Sequence, residues 1–247
     1  MMGQRPLLLI IFTTALTRIN AGTWTELTML PAALQAPFVE TVGSSLYVYG
    51  GKDNTLAVSA GGSRYTPSTS EWVFLPNMPT ARWKGASAVV SSHIYCVGGL
   101  EGTDASTISN LVEYYKPESS SWATRASLPE GRYGHGAATV YTTVSGKVLF
   151  VVGGMNPSSI ATTTLFSMEV GLIGTWSTLD ALPVAMTNAF AAAIGLKLYV
   201  SHGMKPSTFS AQANLRCYTV STSSWNTLPA VSSVDILWAG PHARDAF

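Results

Sequence analysis

The stretch Leu46-Tyr47-Val48-Tyr49-Gly50-Gly51, four apolar residues closed by two glycines, returns as Ile94-Tyr95-Cys96-Val97-Gly98-Gly99 and as Leu149-Phe150-Val151-Val152-Gly153-Gly154. A fourth copy, Leu198-Tyr199-Val200-Ser201-His202-Gly203, carries a histidine in place of the first glycine. These copies stand 48, 55 and 49 residues apart, and their β-branched and aromatic content suits a packed strand. A second series has the same period. Trp24, Trp72, Trp122, Trp176 and Trp225 recur at 48, 50, 54 and 49 residues, and the first four are followed seven residues later by Pro31, Pro79, Pro129 and Pro183. Seven residues before a tryptophan stands a tyrosine, at Tyr65, Tyr115 and Tyr218, with Glu169 at that spacing in the third full unit.

Each unit reads as four short antiparallel strands. One precedes the glycine-ending strand, one ends at the tyrosine and one contains the tryptophan, with Pro and hydroxyl residues such as Thr66-Pro67-Ser68-Thr69 at the reversals. One such sheet would expose both its faces, so stability requires neighbours stacked about an axis. A four-stranded unit of about 50 residues is the larger of the common propeller periods. With its paired glycines, spaced tyrosine and tryptophan, and Pro79 to Arg82 and Pro129 to Arg132 ahead of the next strand, the chain resembles the kelch repeats from Trp24 to Pro229.

The fold expected is therefore all-β: a kelch-type β-propeller of four complete four-stranded blades, with units at 32–79, 80–129, 130–183 and 184–229. Residues 23–31 and 230–247 are expected to supply a partial fifth blade. The family commonly closes its ring by pairing an N-terminal strand with strands from the C-terminus, but the 18 residues after Pro229 contain no glycine pair and fall short of a unit. Open blade edges are expected, with homo-oligomerisation or another partner as the way to cover them.

Composition narrows the function classes. Charged residues are 11% of the 247, and 14 Lys and Arg balance 13 Asp and Glu to a net charge of +1, which gives nucleic acid or an anionic membrane little to hold. Met1 to Arg5, Pro6 to Leu16 and Thr17 to Gly22 form the basic, apolar and polar thirds of a secretory signal, so residues 1–22 are expected to be cleaved and the protein secreted or lumenal, without a membrane span thereafter. A ligase-adaptor role, which in the family usually comes with an N-terminal oligomerisation module, is not expected. Two cysteines exclude a disulfide framework, and Cys96 stands where other units have valine, as a buried thiol would.

Strand alternation sends the loop after each glycine pair and the loop after each tryptophan strand to one face. That face is expected to display Lys52, Asp53 and Asn54, Glu101 and Asp104, Met155 and Asn156, and Lys205. It should also carry Arg82, Trp83, Lys84, Arg132, Tyr133 and His135 from the connecting loops. Loops on a rigid scaffold concentrate binding residues, and arginine with aromatic neighbours suits an acidic peptide or a carboxylated ligand. The reading preferred is a non-catalytic binding module for a protein or glycan partner, with no cofactor and no metal. The alternative is a secreted sugar-modifying enzyme similar to the sialic acid epimerases, in which Arg82 or Arg132 would hold a carboxylate while Glu101, Asp104 or His135 moved protons. Four scattered histidines are too few for a copper oxidase site.

Overall fold

The computed structural model describes residues 26–142, 146–171, 174–201, 203–205, 210–211 and 214–229. The expected signal peptide, Trp24, His202 and the C-terminal part of the partial blade lie outside them. The described residues form strands and loops only, and none of them belongs to a helix long and apolar enough to cross a membrane.

Four antiparallel four-stranded sheets follow one another along the chain. The first is β1 (Phe38–Val42), β2 (Ser45–Tyr49), β3 (Gly62–Thr66) and β4 (Glu71–Leu75), hydrogen-bonded in that order. The second is β5 (Ala86–Val90), β6 (His93–Val97), β7 (Val112–Lys116) and β8 (Ser121–Arg125). The third is β9 (Gly136–Thr142), β10 (Gly146–Val152), β11 (Leu165–Glu169) and β12 (Trp176–Leu179). The fourth contains β13 (Phe190–Ile194), β14 (Lys197–Ser201), β17 (Arg216–Thr219) and β18 (Ser224–Thr227), with a small hairpin, β15 (Met204–Lys205) and β16 (Ser210–Ala211), in the β14–β17 loop.

The first strands are the innermost: β5 packs on β1, β9 on β5 and β13 on β9. Three apolar cores fill the wedges between successive sheets. Phe38, Tyr47 and Tyr115 lie in the first, Val90, Tyr95 and Phe166 in the second, and Val140, Phe150 and Tyr218 in the third. Alternate residues of each strand thus bury on opposite sides of the sheet, as period-2 patterning requires. The fold is a β-propeller arc of four full blades among the described residues.

Three joints recur between blades and explain the repeat marks. First, the amide of each second glycine donates to a carbonyl at the start of the next blade: Gly51 to Arg82 (2.9 Å), Gly99 to Arg132 (2.7 Å) and Gly154 to Met186 (2.8 Å). The same carbonyl would sit 2.4 Å from a Cβ added at Gly50, where φ is +64°, so a side chain there would meet a neighbouring backbone as well as strain. Second, each tryptophan indole donates to the carbonyl four residues beyond the preceding tryptophan of the series: Trp72 to Thr28, Trp122 to Pro76, Trp176 to Ala126 and Trp225 to Asp180, at 2.9–3.1 Å. Thr28 thus stands where the residue just after a blade's last strand stands in the other joints, although residues 26–30 form no strand of a fifth sheet. Third, Lys84, Gly134 and Asn188 donate their amides in turn to Ala36, Lys84 and Gly134, a hydrogen-bonded chain in which all four residues have positive φ.

One expected mark falls elsewhere. Tyr65, Tyr115 and Tyr218 pair across their hairpins with Trp72, Trp122 and Trp225, with ring centroids 5.2–5.4 Å apart. The residue opposite Trp176 is Met168, and Glu169 is its neighbour. The turn of the third blade is one residue longer than its counterparts, so counting back seven residues stops one short of the tyrosine position. Cys96 and Cys217 are buried free thiols.

Candidate functional site

The loop face forms where the residue after each glycine pair bridges two segments at once. Lys52 pairs with Gln35 and Val58, Leu100 with Trp83 and Ile108, and Met155 with Tyr133 and Ala161. This places the two loop families side by side. The loops themselves are closed by side chains that accept from their own backbone. Asp53 Oδ1 accepts from the Thr55 and Ala57 amides, Asp104 Oδ1 from the Ser106 amide, and Asn156 Oδ1 from the Ser158 and Ile160 amides. The Thr55 hydroxyl on Asp53 and the Ser106 hydroxyl on Asp104, followed by these amide bonds, hold both aspartates below the ordinary carboxylate range, with Lys52 adding to the effect at Asp104. Asp53, Asp104 and Asn156 are loop braces as well as surface groups. Glu101 is half-buried, and its amide closes the same loop on Thr107.

Lys52, Trp83 and Lys84 come together at the junction of the first two blades. The Trp83 indole is buried and donates to the Gly102 carbonyl at 2.8 Å. The ammonium of Lys52 lies 4.5 Å and that of Lys84 4.3 Å from the Trp83 ring centre, and Lys52 also donates to the Thr103 carbonyl at 3.0 Å. Both lysines keep part of their surface in solvent. Gly102 and Thr103, which anchor the cluster by backbone carbonyls, carry no side-chain signal that a sequence could offer. Tyr133, the Trp83 counterpart in the next blade, is half-buried, and its hydroxyl is raised by that burial.

Arg82, Trp83, Arg132 and His135 are corrections, because they lie inside the scaffold at 0%, 4%, 1% and 4% exposure. Arg82 turns inward to donate to the Gly98 carbonyl (2.6 Å) and the Leu111 carbonyl (3.1 Å) and to pair with Glu113 (2.8 Å), whose other oxygen accepts from Thr80 at 2.9 Å. Arg132 donates to the Thr162 hydroxyl and to Glu130 at 2.9 Å, and its guanidinium lies 5.2 Å from the Phe166 ring centre. Both satisfy carbonyls and hydroxyls that bending loops leave behind, so their donors are not turned outward. Burial and the nearby Arg132 charge push the His135 ring down to about 3, so it is neutral near pH 7. Sequence reasoning missed Glu113; a lone carboxylate two residues before the repeat tyrosine was its signal. Among the described residues no group of three or more His, Cys, Asp or Glu could hold a metal ion.

Comparison with known proteins agrees with this architecture. The Kelch motif matches residues 37–79 and 85–129. The chain is 29% identical to Kelch-like protein terF of Aspergillus terreus, covering 83% of this chain and 46% of that one. It is 28% identical to Kelch repeat and BTB domain-containing protein 1 of Ectromelia virus, over 67% of this chain and 28% of that one. It is also 29% identical to human Kelch-like protein 35, over 56% of this chain and 22% of that one. The chain thus spans less than half the length of these relatives. Among solved structures, YjhT superposes with a TM-score of 0.67 at 20% identity, over 84% of this chain and 68% of that one, a likeness of fold.

Proposed function

We propose that this chain, whose residues 37–79 and 85–129 match the Kelch motif, is a binding module whose loop face takes an acidic segment of a protein partner at Lys52 and Lys84, held over Trp83. The observation that carries the reading is the pair of ammonium groups held 4.3–4.5 Å from one buried indole. A charge positioned on a rigid aromatic base loses less rotamer freedom on binding than a free lysine, and exposed cation–π contacts of this kind contribute roughly 0.5–1 kcal/mol. Trp83 is covered, so it supports the ammoniums and leaves no open ring on which a sugar could stack. Carboxylates fit that surface better than a glycan does.

The reading as a sugar-modifying enzyme had Arg82 or Arg132 hold a carboxylate while Glu101, Asp104 or His135 moved protons; both arginines are enclosed in the scaffold, so neither offers that grip, and the reading is not proposed. Export remains part of the proposal, on the three-part leader at 1–22. Sequencing the N-terminus of protein recovered from the culture medium checks it: a start near residue 22 or 23 supports export, and an intact Met1 contradicts it. For the binding face, a displayed library of random peptides selected on the wild-type chain should enrich Asp and Glu, and the selected peptides should fail to bind Lys52→Glu/Lys84→Glu. Peptides that bind the double variant undiminished would overturn the assignment.

A further inference from the structure

The four innermost strands line an open groove of about 240 Å³, distinct from the loop face. Its described walls are mostly small: Ala88 on β5, Ala137 and Ala138 on β9, Ala191 and Ala193 on β13. At the third residue of each innermost strand the chain has Glu40, Ala88, Ala138 and Ala192. One blade therefore places a carboxylate where the other three have a methyl group. Glu40 is the one charged side chain among the described residues lining the groove, and no ion pair among the described residues reaches it. A partly buried carboxylate without a cation is destabilising, and an alanine was sterically sufficient in three parallel settings. Two hydroxyls share the groove. Ser87 lies beside Glu40 and donates to the Val39 carbonyl at 3.3 Å, and the buried Thr139 hydroxyl has no hydrogen-bond partner among the described residues.

We propose that this groove binds an alkylammonium group, seated on the Glu40 carboxylate with the Ser87 and Thr139 hydroxyls as further acceptors and the alkyl stem along the alanine walls. A primary ammonium has three donors, and the groove offers three oxygen-bearing side chains. One carboxylate and two hydroxyls are too few strong ligands for a divalent cation, which takes six or more oxygens. Protonation competes with the ligand, because burial raises the Glu40 carboxyl to about 7. The titratable groups around it are Tyr47 opposite it on β2, the buried Cys96 thiol on β6, which desolvation keeps neutral, and Tyr141 on β9. No positive charge comes from these.

Isothermal titration calorimetry of the full chain with n-butylammonium chloride tests the site. Binding should be saturable, tighten about tenfold between pH 6 and pH 8 as the carboxyl ionises, and release protons near pH 7. Glu40→Gln should abolish it with an unchanged circular dichroism spectrum, and Thr139→Val should weaken it severalfold. A second titrant, Nα-acetyl-lysine amide, distinguishes sources: comparable binding identifies a partner's lysine side chain as the occupant, and binding of n-butylammonium alone identifies a small free amine. No saturable binding at pH 8, equal binding of n-butanol, or undiminished binding by Glu40→Gln would overturn the proposal. Because none of these variants touches Lys52, Trp83 or Lys84, failure here leaves the loop-face reading standing.

Discussion

Arg82 in the second blade and Arg132 in the third occupy the same place ahead of the innermost strand, yet the residues facing them differ. Arg82 meets a buried carboxylate, Glu113, whereas Arg132 meets the ring of Phe166 and a partly exposed Glu130. The fourth blade reverses the pair: Met186 holds the arginine position, and Arg216 on β17 reaches its sulfur at 3.7 Å. One slot thus accepts arginine or methionine, and the residue across from it decides whether a charge is required. A long side chain fills the slot in each of these three blades, and the guanidinium is paired with a buried carboxylate only where Glu113 is present.

This comparison can be broken most forcefully at its charged end. Glu113→Ala should destabilise the fold by about 3–5 kcal/mol in urea unfolding, since it strands the Arg82 charge inside the protein, and Arg82→Met should be comparably damaging because it strands the carboxylate. The double change Arg82→Met/Glu113→Leu should recover most of the loss. Arg132→Met, which copies the fourth blade, should cost less, about 1–3 kcal/mol, because it leaves the Thr162 hydroxyl and the Gly153 carbonyl without their donor but strands no buried carboxylate. Equal losses for Arg82→Met and Arg132→Met would mean that the facing residue does not matter.

A pH series sharpens the same point with two other buried groups. Glu40 has a folded pKa near 7 against an unfolded 4.5, so its contribution favours the fold below pH 4.5 and is lost as pH rises through 7. His135 runs the other way: its folded pKa near 3 lies below the unfolded 6.5, so stability is present above pH 6.5 and lost as pH falls towards 3. Glu40→Gln should therefore remove a decline of roughly 2–3 kcal/mol between pH 4.5 and 7 and leave the acid limb intact. A melting-temperature profile unchanged by Glu40→Gln would contradict this. The smallest effect is expected at the blade staples, where Trp122→Phe removes one hydrogen bond to Pro76 and should cost about 1 kcal/mol in the same unfolding assay.

The architecture was legible because its marks are backbone requirements. A Cβ at Gly50 meets the carbonyl of Arg82, and the Trp122 indole must reach Pro76, so the glycine and tryptophan series repeat wherever a joint repeats. The site was harder to see, for two physical reasons. An arginine is long enough to leave a surface loop and end in the interior, so the loop position of Arg82 did not reveal where its guanidinium lies. The contacts that gather Lys52 with Trp83 are made to the Gly102 and Thr103 carbonyls, which every residue possesses. Met168 escaped because register in a hairpin follows the turn, and one added residue shifted the count.

The measurement that bears most directly on the account is the affinity of one selected acidic peptide for two variants in parallel, Arg132→Met and Lys52→Glu/Lys84→Glu. If the arginine is an internal strut and the lysines on Trp83 are the contact, the first variant binds as the wild type does and the second loses at least tenfold. Loss of affinity in Arg132→Met with retention in Lys52→Glu/Lys84→Glu would contradict it.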